Sequence, residues 1–384
     1  MDRFFRKIIP GAFGKIFLLL LVFGSNAAFS EEYAGAFLGA TGEGYGLSLA
    51  KDEAGLPAIS YFNSKTKELW VSVFNGSVWT KHRIATEIDP SAATVLVYHD
   101  SKLYLSYYDL AAKKLKIVQQ NGSSWNAAHN RSAEGQGAEL SAVSCGNSLN
   151  VLSYDEASKS LVLLRGKDTS WSLERTVVSG SARARMHSLS CSKESRVVLV
   201  YFDEARKKVR LVRESANGSY LEEDLPQLRS GAGRSPRIVS AANGEIHAAY
   251  TQASLLDGSG RGLFYARRDA GGFWVQSVVT ESYAGGSVAI ELNSESLPVL
   301  VSSYKKSGVN GFGGIYYAEL SSSGLWHEAV LGAPGQGEAG VYNTSFVQAE
   351  RSAAGYLYFV YAAGASSGSS LSPEQAIHLI AAKG

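Results

Sequence analysis

Two arginine pairs, Arg183 with Arg185 and Arg234 with Arg237, are the residues whose type and spacing speak most directly of chemistry. A guanidinium presents its donors in a planar fork that matches a carboxylate or phosphate bidentately. Four such groups near one another could hold an acidic ligand. The competing reading is solvated surface arginine paired with carboxylates such as Glu134 or Glu139, contacts that are individually weak. Asp257, Arg261 and Asn310 lie in long polar stretches, and Tyr283 and Tyr342 precede apolar runs. Together with Arg185, Arg234 and Arg237 they form the candidate ligand-binding set.

Other motifs fail on context. The segment 335–340, GQGEAG, matches the dinucleotide fingerprint, but that motif needs a strand before it and a helix after it; here an apolar strand pattern follows. The segment 364–368, GASSG, has the letters of a nucleophile elbow inside a Ser/Gly-rich loop, with no Asp and His order behind it. The seven histidines are dispersed, none with a second His or Cys at metal-ligand spacing, so neither a metal nor a cofactor is expected. Asp109, Asp155 and Asp203 recur at one position, each followed by lysine within a few residues. Recurrence of that kind points to turn capping by the carboxylate.

The elements that must position these groups come from a repeat. Tyr61, Tyr107, Tyr154, Tyr201, Tyr250, Tyr304 and Tyr361 each close an apolar run such as LYLSYYD at 103–109, at intervals of 46 to 57 residues. Each copy holds four short runs rich in Val, Ile, Tyr and Leu, punctuated by Gly, Asn, Asp and Ser, which read as strands. Asn-Gly at 75–76, 121–122 and 217–218 suggests hairpins with type I′ turns. Four antiparallel strands per 40–50 residues is the β-propeller pattern. Inner strands are expected near 44–50, 93–99, 138–144, 186–192, 236–242, 287–293 and 343–349. The chain ends on a third strand at 377–383, so residues 32–39 are expected to supply the missing fourth. The expectation is an all-β, single seven-bladed β-propeller over 31–384, four antiparallel strands per blade, with an N-terminal strand closing the last blade.

The repeat, apolar-Ser-Tyr-Tyr-Asp followed by Leu and then Gly-x-x-Trp, resembles that of secreted bacterial propellers of the sialidase-like/BNR-like or lectin-like group. It covers nearly the whole chain after residue 30. Of the sialidase Asp-box, 75–79 and 121–125 keep only the turn and the Trp, and an Arg-Ile-Pro start is absent. The resemblance implies either a sugar-binding module or a glycoside hydrolase in which Arg185, Arg234 and Arg237 clamp an acid beside Tyr283 or Tyr342. The outer-strand tryptophans suit blade packing, with stacking on sugar rings as the lectin-like alternative.

Length after the anchoring Tyr is uneven. The stretch before the third strand is short in the first four copies and long at 251–262, 305–314 and 362–376. These loops share one face with the segments carrying the arginines, and scaffolds place binding groups in such loops. Cys145 and Cys191 end the inner strands of adjacent blades, where equivalent positions approach closely around the channel. A disulfide is expected, with two buried thiols as the alternative.

Composition sets the bounds. The chain has 384 residues, 45% hydrophobic and 19% charged, with 40 Gly, which excludes disordered and collagen-like classes. Residues 1–30 carry a basic front, an apolar run at 16–23 and small residues before Glu31, the layout of a signal peptide. They hold four cationic groups and one Asp, so their removal takes the net charge from +2 to −1. Nothing then argues for nucleic-acid binding. The reading is an exported, periplasmic or extracellular monomer without a transmembrane segment, binding a carbohydrate or protein ligand on the long-loop face. A sialidase-like hydrolase and a non-catalytic envelope scaffold are the alternatives.

Overall fold

A computed structural model describes residues 34–37, 43–63, 65–88, 94–109, 111–132, 140–155, 157–179, 186–226, 234–251, 262–281, 284–305, 313–332, 342–351, 356–365 and 376–383. The expected leader at 1–30 lies outside them. The described residues form seven four-stranded antiparallel sheets and no helix. Six sheets use four consecutive strands each. Sheet 4, for example, runs His187–Cys191, Val197–Asp203, Lys208–Glu214 and Tyr220–Asp224 from inner to outermost strand. Sheet 7 is built from Tyr342–Arg351, Tyr356–Ala365 and Ala376–Lys383, and the first strand of the chain, Ala34–Phe37, completes it against Ala376–Lys383. Ala34 stands opposite Ala381 and Phe37 opposite His378. Inner strands of successive sheets touch in cyclic order, and that of sheet 7 touches Glu43–Lys51 of sheet 1.

Burial follows position within a sheet. Second strands such as Pro57–Asn63, Lys102–Asp109 and Val197–Asp203 are buried almost throughout, because neighbouring sheets cover both of their faces. Such strands read as continuous apolar runs rather than alternating ones. Outermost strands such as Trp79–Ala85 and Tyr220–Asp224 are mostly exposed or half-buried. Tyr61, Tyr107, Tyr154, Tyr201 and Tyr250 are all buried in the second strands, and Tyr250 stacks on Phe264 with ring centroids 5.5 Å apart.

The turns refine the sequence reading. Asp109 accepts a hydrogen bond from the backbone N–H of Ala112 at 3.0 Å, Asp155 from Ser158, and Asp203 from Ala205 and Arg206, so these carboxylates cap turns. Asn63 does the same in sheet 1. The residue entering each third strand there, Lys67, Lys113, Lys159 or Lys207, has φ between 50° and 56°. The Asn-Gly turns differ from the expected type I′. Gly76, Gly122 and Gly218 have positive φ but Asn75, Asn121 and Asn217 do not. At 76–77 and 122–123 glycine is the first central residue, the type II′ position. Asn75 instead uses its side chain, its Oδ1 accepting from the N–H groups of Ser77 and Val78. Positive φ at both central residues occurs at Asp100 and Ser101, where His99 pairs with Lys102.

Polar side chains stitch the sheets together. The Leu96 N–H donates to Ser48 Oγ at 2.9 Å, and the Ser240 N–H donates to Ser190 Oγ at 2.9 Å. An inner strand would otherwise present unpaired backbone groups along its open edge; a serine from the preceding sheet supplies acceptors. Cys145 and Cys191 form a disulfide between the inner strands of sheets 3 and 4, with Cα atoms 5.3 Å apart.

Candidate ligand-binding face

At one end of the ring the inner strands begin and the second strands finish. Register places Arg234 opposite Thr251, Ala284 opposite Tyr304 and Tyr342 opposite Ala365. The second strands of sheets 5, 6 and 7 run to Thr251, Lys305 and Ala365, so the third expected loop is shorter than 362–376, and all three connections leave from the end where Arg234 and Tyr342 enter their strands. Arg185, Asp257, Arg261, Tyr283 and Asn310, with Glu134 and Glu139, lie outside the described residues. Arg234 and Tyr342 are placed by backbone register alone.

Arg237 is placed in full. The inner strand of sheet 5, Arg234–Ser240, is irregular between Arg234 and Arg237. These two residues, three apart, oppose Thr251 and Ala249, which are two apart, so one extra residue is accommodated. Ser235 is in the left-handed region at φ 50°, directly before Pro236. Both features are unfavourable for a serine preceding proline, and β-bulges of this kind re-aim side chains. Ser235 is buried, and its N–H lies 3.3 Å from Met186 Sδ. The Arg237 guanidinium donates to the Pro236 carbonyl at 3.1 Å and, across the seam, to the His187 carbonyl at 3.4 Å.

His187 is itself fixed by sheet 3. Its Nδ1 lies 2.8 Å from Ser141 Oγ, and that hydroxyl donates to the His187 carbonyl at 3.0 Å. Sheets 3, 4 and 5 thus hand one polar chain, Ser141–His187–Arg237, around this end of the ring. A cation in such a place can receive a carboxylate or the hydroxyls of a sugar through charge-assisted hydrogen bonds. Ser141, Met186, His187 and Ser235 were not legible as site residues, since each matters only through a partner 45 or more positions away. The one local signal was the Arg-Ser-Pro-Arg sequence.

The opposite end has a different character. His99 Nδ1 contacts Ser144 Oγ at 2.9 Å, and burial holds the His99 pKa below the usual range. Lys167 pairs with Asp100, and Lys102 with Asp168. Hydrogen bonds from these lysines lower the pKa of Asp100 and Asp168. Arg165 grips Glu214 of the next sheet with two nitrogens at 3.1 and 2.7 Å. Burial pushes the Glu214 pKa up, but the hydrogen bonds from Arg165 and the Val197 N–H bring it below its ordinary value. The outer tryptophans serve packing: Trp125 meets His82 of the preceding sheet edge-on at 6.2 Å, and Trp171 stacks on His129 at 5.5 Å. Among the described residues no three His, Cys, Asp or Glu gather to hold a metal, and no helix is long and apolar enough to cross a membrane.

No protein-family model and no curated protein matches the sequence. Solved structures do match the fold. A fungal lectin from Aleuria aurantia, described as a six-bladed β-propeller with a novel fucose recognition mode, is 13% identical with a TM-score of 0.50, covering 78% of this chain and 99% of its own. AofleA from Arthrobotrys oligospora is 11% identical with a TM-score of 0.51, over 80% and 92%. SapL1 lectin, solved with alpha methyl fucoside, is 13% identical with a TM-score of 0.51, over 76% and 97%. At this identity the likeness shows the architecture alone, a β-propeller. The Aleuria lectin has six blades where the described residues of this chain form seven sheets.

Proposed function

We propose that the chain is an exported, seven-bladed β-propeller that binds carbohydrate, without catalysis, at the end of the ring where the inner strands begin. The observation that carries this reading is Arg237, a guanidinium held at that end by two backbone carbonyls and seated by a strained bulge. A guanidinium at a fixed position has the bidentate donors that suit vicinal hydroxyls or a carboxylate. The remaining candidates, Arg185, Arg234, Asp257, Arg261, Tyr283, Asn310 and Tyr342, are assigned to the same site on their place in the repeat. Fucose recognition in the Aleuria lectin and the fucoside bound to SapL1 support sugar as the ligand class. The Cys145–Cys191 disulfide supports an oxidising compartment, periplasmic or extracellular, reached through the leader at 1–30.

A glycan array containing neutral, fucosylated and acidic sugars tests the reading. Binding is expected, and Arg237→Ala should weaken it at least about tenfold, or ~1.4 kcal/mol, while the variant melts as a folded protein. Silence across the array would turn the assignment towards a protein ligand or a scaffold.

A further inference from the structure

The outermost strand of sheet 5, Trp274–Thr280, differs from its counterparts. It reads WVQSVVT and contains no charged residue. Outermost strands elsewhere carry charge: Lys81 and Arg83 in sheet 1, Arg131 in sheet 2, Glu174 and Arg175 in sheet 3. Glu222, Glu223 and Asp224 lie in sheet 4 and Glu328 in sheet 6. Charge on an edge strand discourages pairing with another chain, so sheet 5 alone among these six lacks that protection. The closing strand Ala34–Phe37 is also uncharged but only four residues long.

The same strand concentrates exposed apolar surface. Phe273, immediately before it, is 74% exposed, Val275 54% and Val278 37%. They account for half of the large hydrophobic side chains exposed among the described residues. Among the described residues its far edge has no partner strand in the sheet. β-Branched residues, an open ladder and no charge are the requirements for adding a strand at a sheet edge.

We propose that the edge of Trp274–Thr280 is the interface of a homodimer, in which two copies of this strand pair antiparallel across a two-fold axis and extend sheet 5 into an eight-stranded sheet. Charge selects the occupant. Pairing this edge with the outermost strand of sheet 1, 2, 3, 4 or 6 of another copy lays lysine, arginine or carboxylate against an apolar ladder. Self-pairing lays none there and brings no like charges together within the strands. It also closes at two copies, whereas pairing with Ala34–Phe37 of another copy is head-to-tail and leads to larger rings or filaments. A dimer replaces the monomer expected from the sequence.

Sedimentation equilibrium of the purified protein tests this. The expected mass is that of two chains, falling to one chain in Val275→Lys and remaining at two in Val78→Lys, an equally exposed site at 53% on the outer rim of sheet 1. Thermal melting of both variants reports that the fold is kept, and Val275→Thr should restore the dimer. A single-chain mass at the highest soluble concentration overturns the proposal. So does a dimer indifferent to Val275→Lys, or a series of higher oligomers.

Discussion

His247 shows how a buried polar group makes stability depend on pH. Its Nδ1 lies 2.7 Å from the Tyr265 hydroxyl, its Nε2 is 3.7 Å from Glu245, and Arg267 also faces Glu245 at 3.5 Å. Burial is the main cause of a pKa lowered to about 4, against an ordinary 6.5. The unfolded chain therefore takes up a proton first as pH falls. The contribution of the neutral ring is fully present above pH 6.5 and is lost between 6.5 and about 4. Its size is at most roughly 3 kcal/mol. His247→Gln should flatten the difference between urea midpoints at neutral and mildly acidic pH, and an unchanged difference would show that other groups carry it. Arg237 was legible at this scale as a type of residue; its seat was not. The bulge at Ser235 and the carbonyl of His187 belong to geometry between sheets, and one repeat read alone contains neither.

Strands were legible because burial writes them locally. The run expected at 93–99 is Thr94–His99, and that expected at 377–383 is Ala376–Lys383. Tyrosine at a fixed place in the second strand marks a position covered on both faces, so its recurrence gives the period. Turn type was harder to read, because Asn-Gly satisfies several turns. At 75–78 the Asn side chain caps the backbone and only glycine enters positive φ. Asp257, Arg261 and Asn310 had a topological address in the sequence and lie outside the described residues. The cysteines had an address and a geometry, since equivalent ends of adjacent inner strands must approach. Their bond closes a loop with a sequence separation of 46. Replacing both with serine should cost at most roughly 4 kcal/mol. The check is a lower melting temperature in the double variant, matched by wild type under reductant; wild type unaffected by reductant would show that the bond adds no stability.

On the scale of the whole molecule, the ring depends on its smallest strand. Ala34–Phe37 contributes four residue pairs, yet among the described residues it is the only strand covering the edge of Ala376–Lys383 in sheet 7. Deleting residues up to Phe37 should lower the melting temperature and expose that edge to aggregation, measured by calorimetry and light scattering; an unchanged, monodisperse protein would mean that closure adds nothing. The two ends of the ring have separate work. One carries Arg237 and the long loops, while the other is held by the charged contacts of sheets 2 to 4. The unprotected edge of sheet 5 runs along the outer wall, so a dimer formed there leaves the Arg237 end of each copy uncovered, and two modest sugar contacts would add as avidity. Among the described strands, synthesis delivers Ala34–Phe37 first and its partner Ala376–Lys383 last. Ala34–Phe37 must wait, without its sheet 7 partner, until Ala376–Lys383 has been made, and a product that stops short of that strand cannot complete the circle.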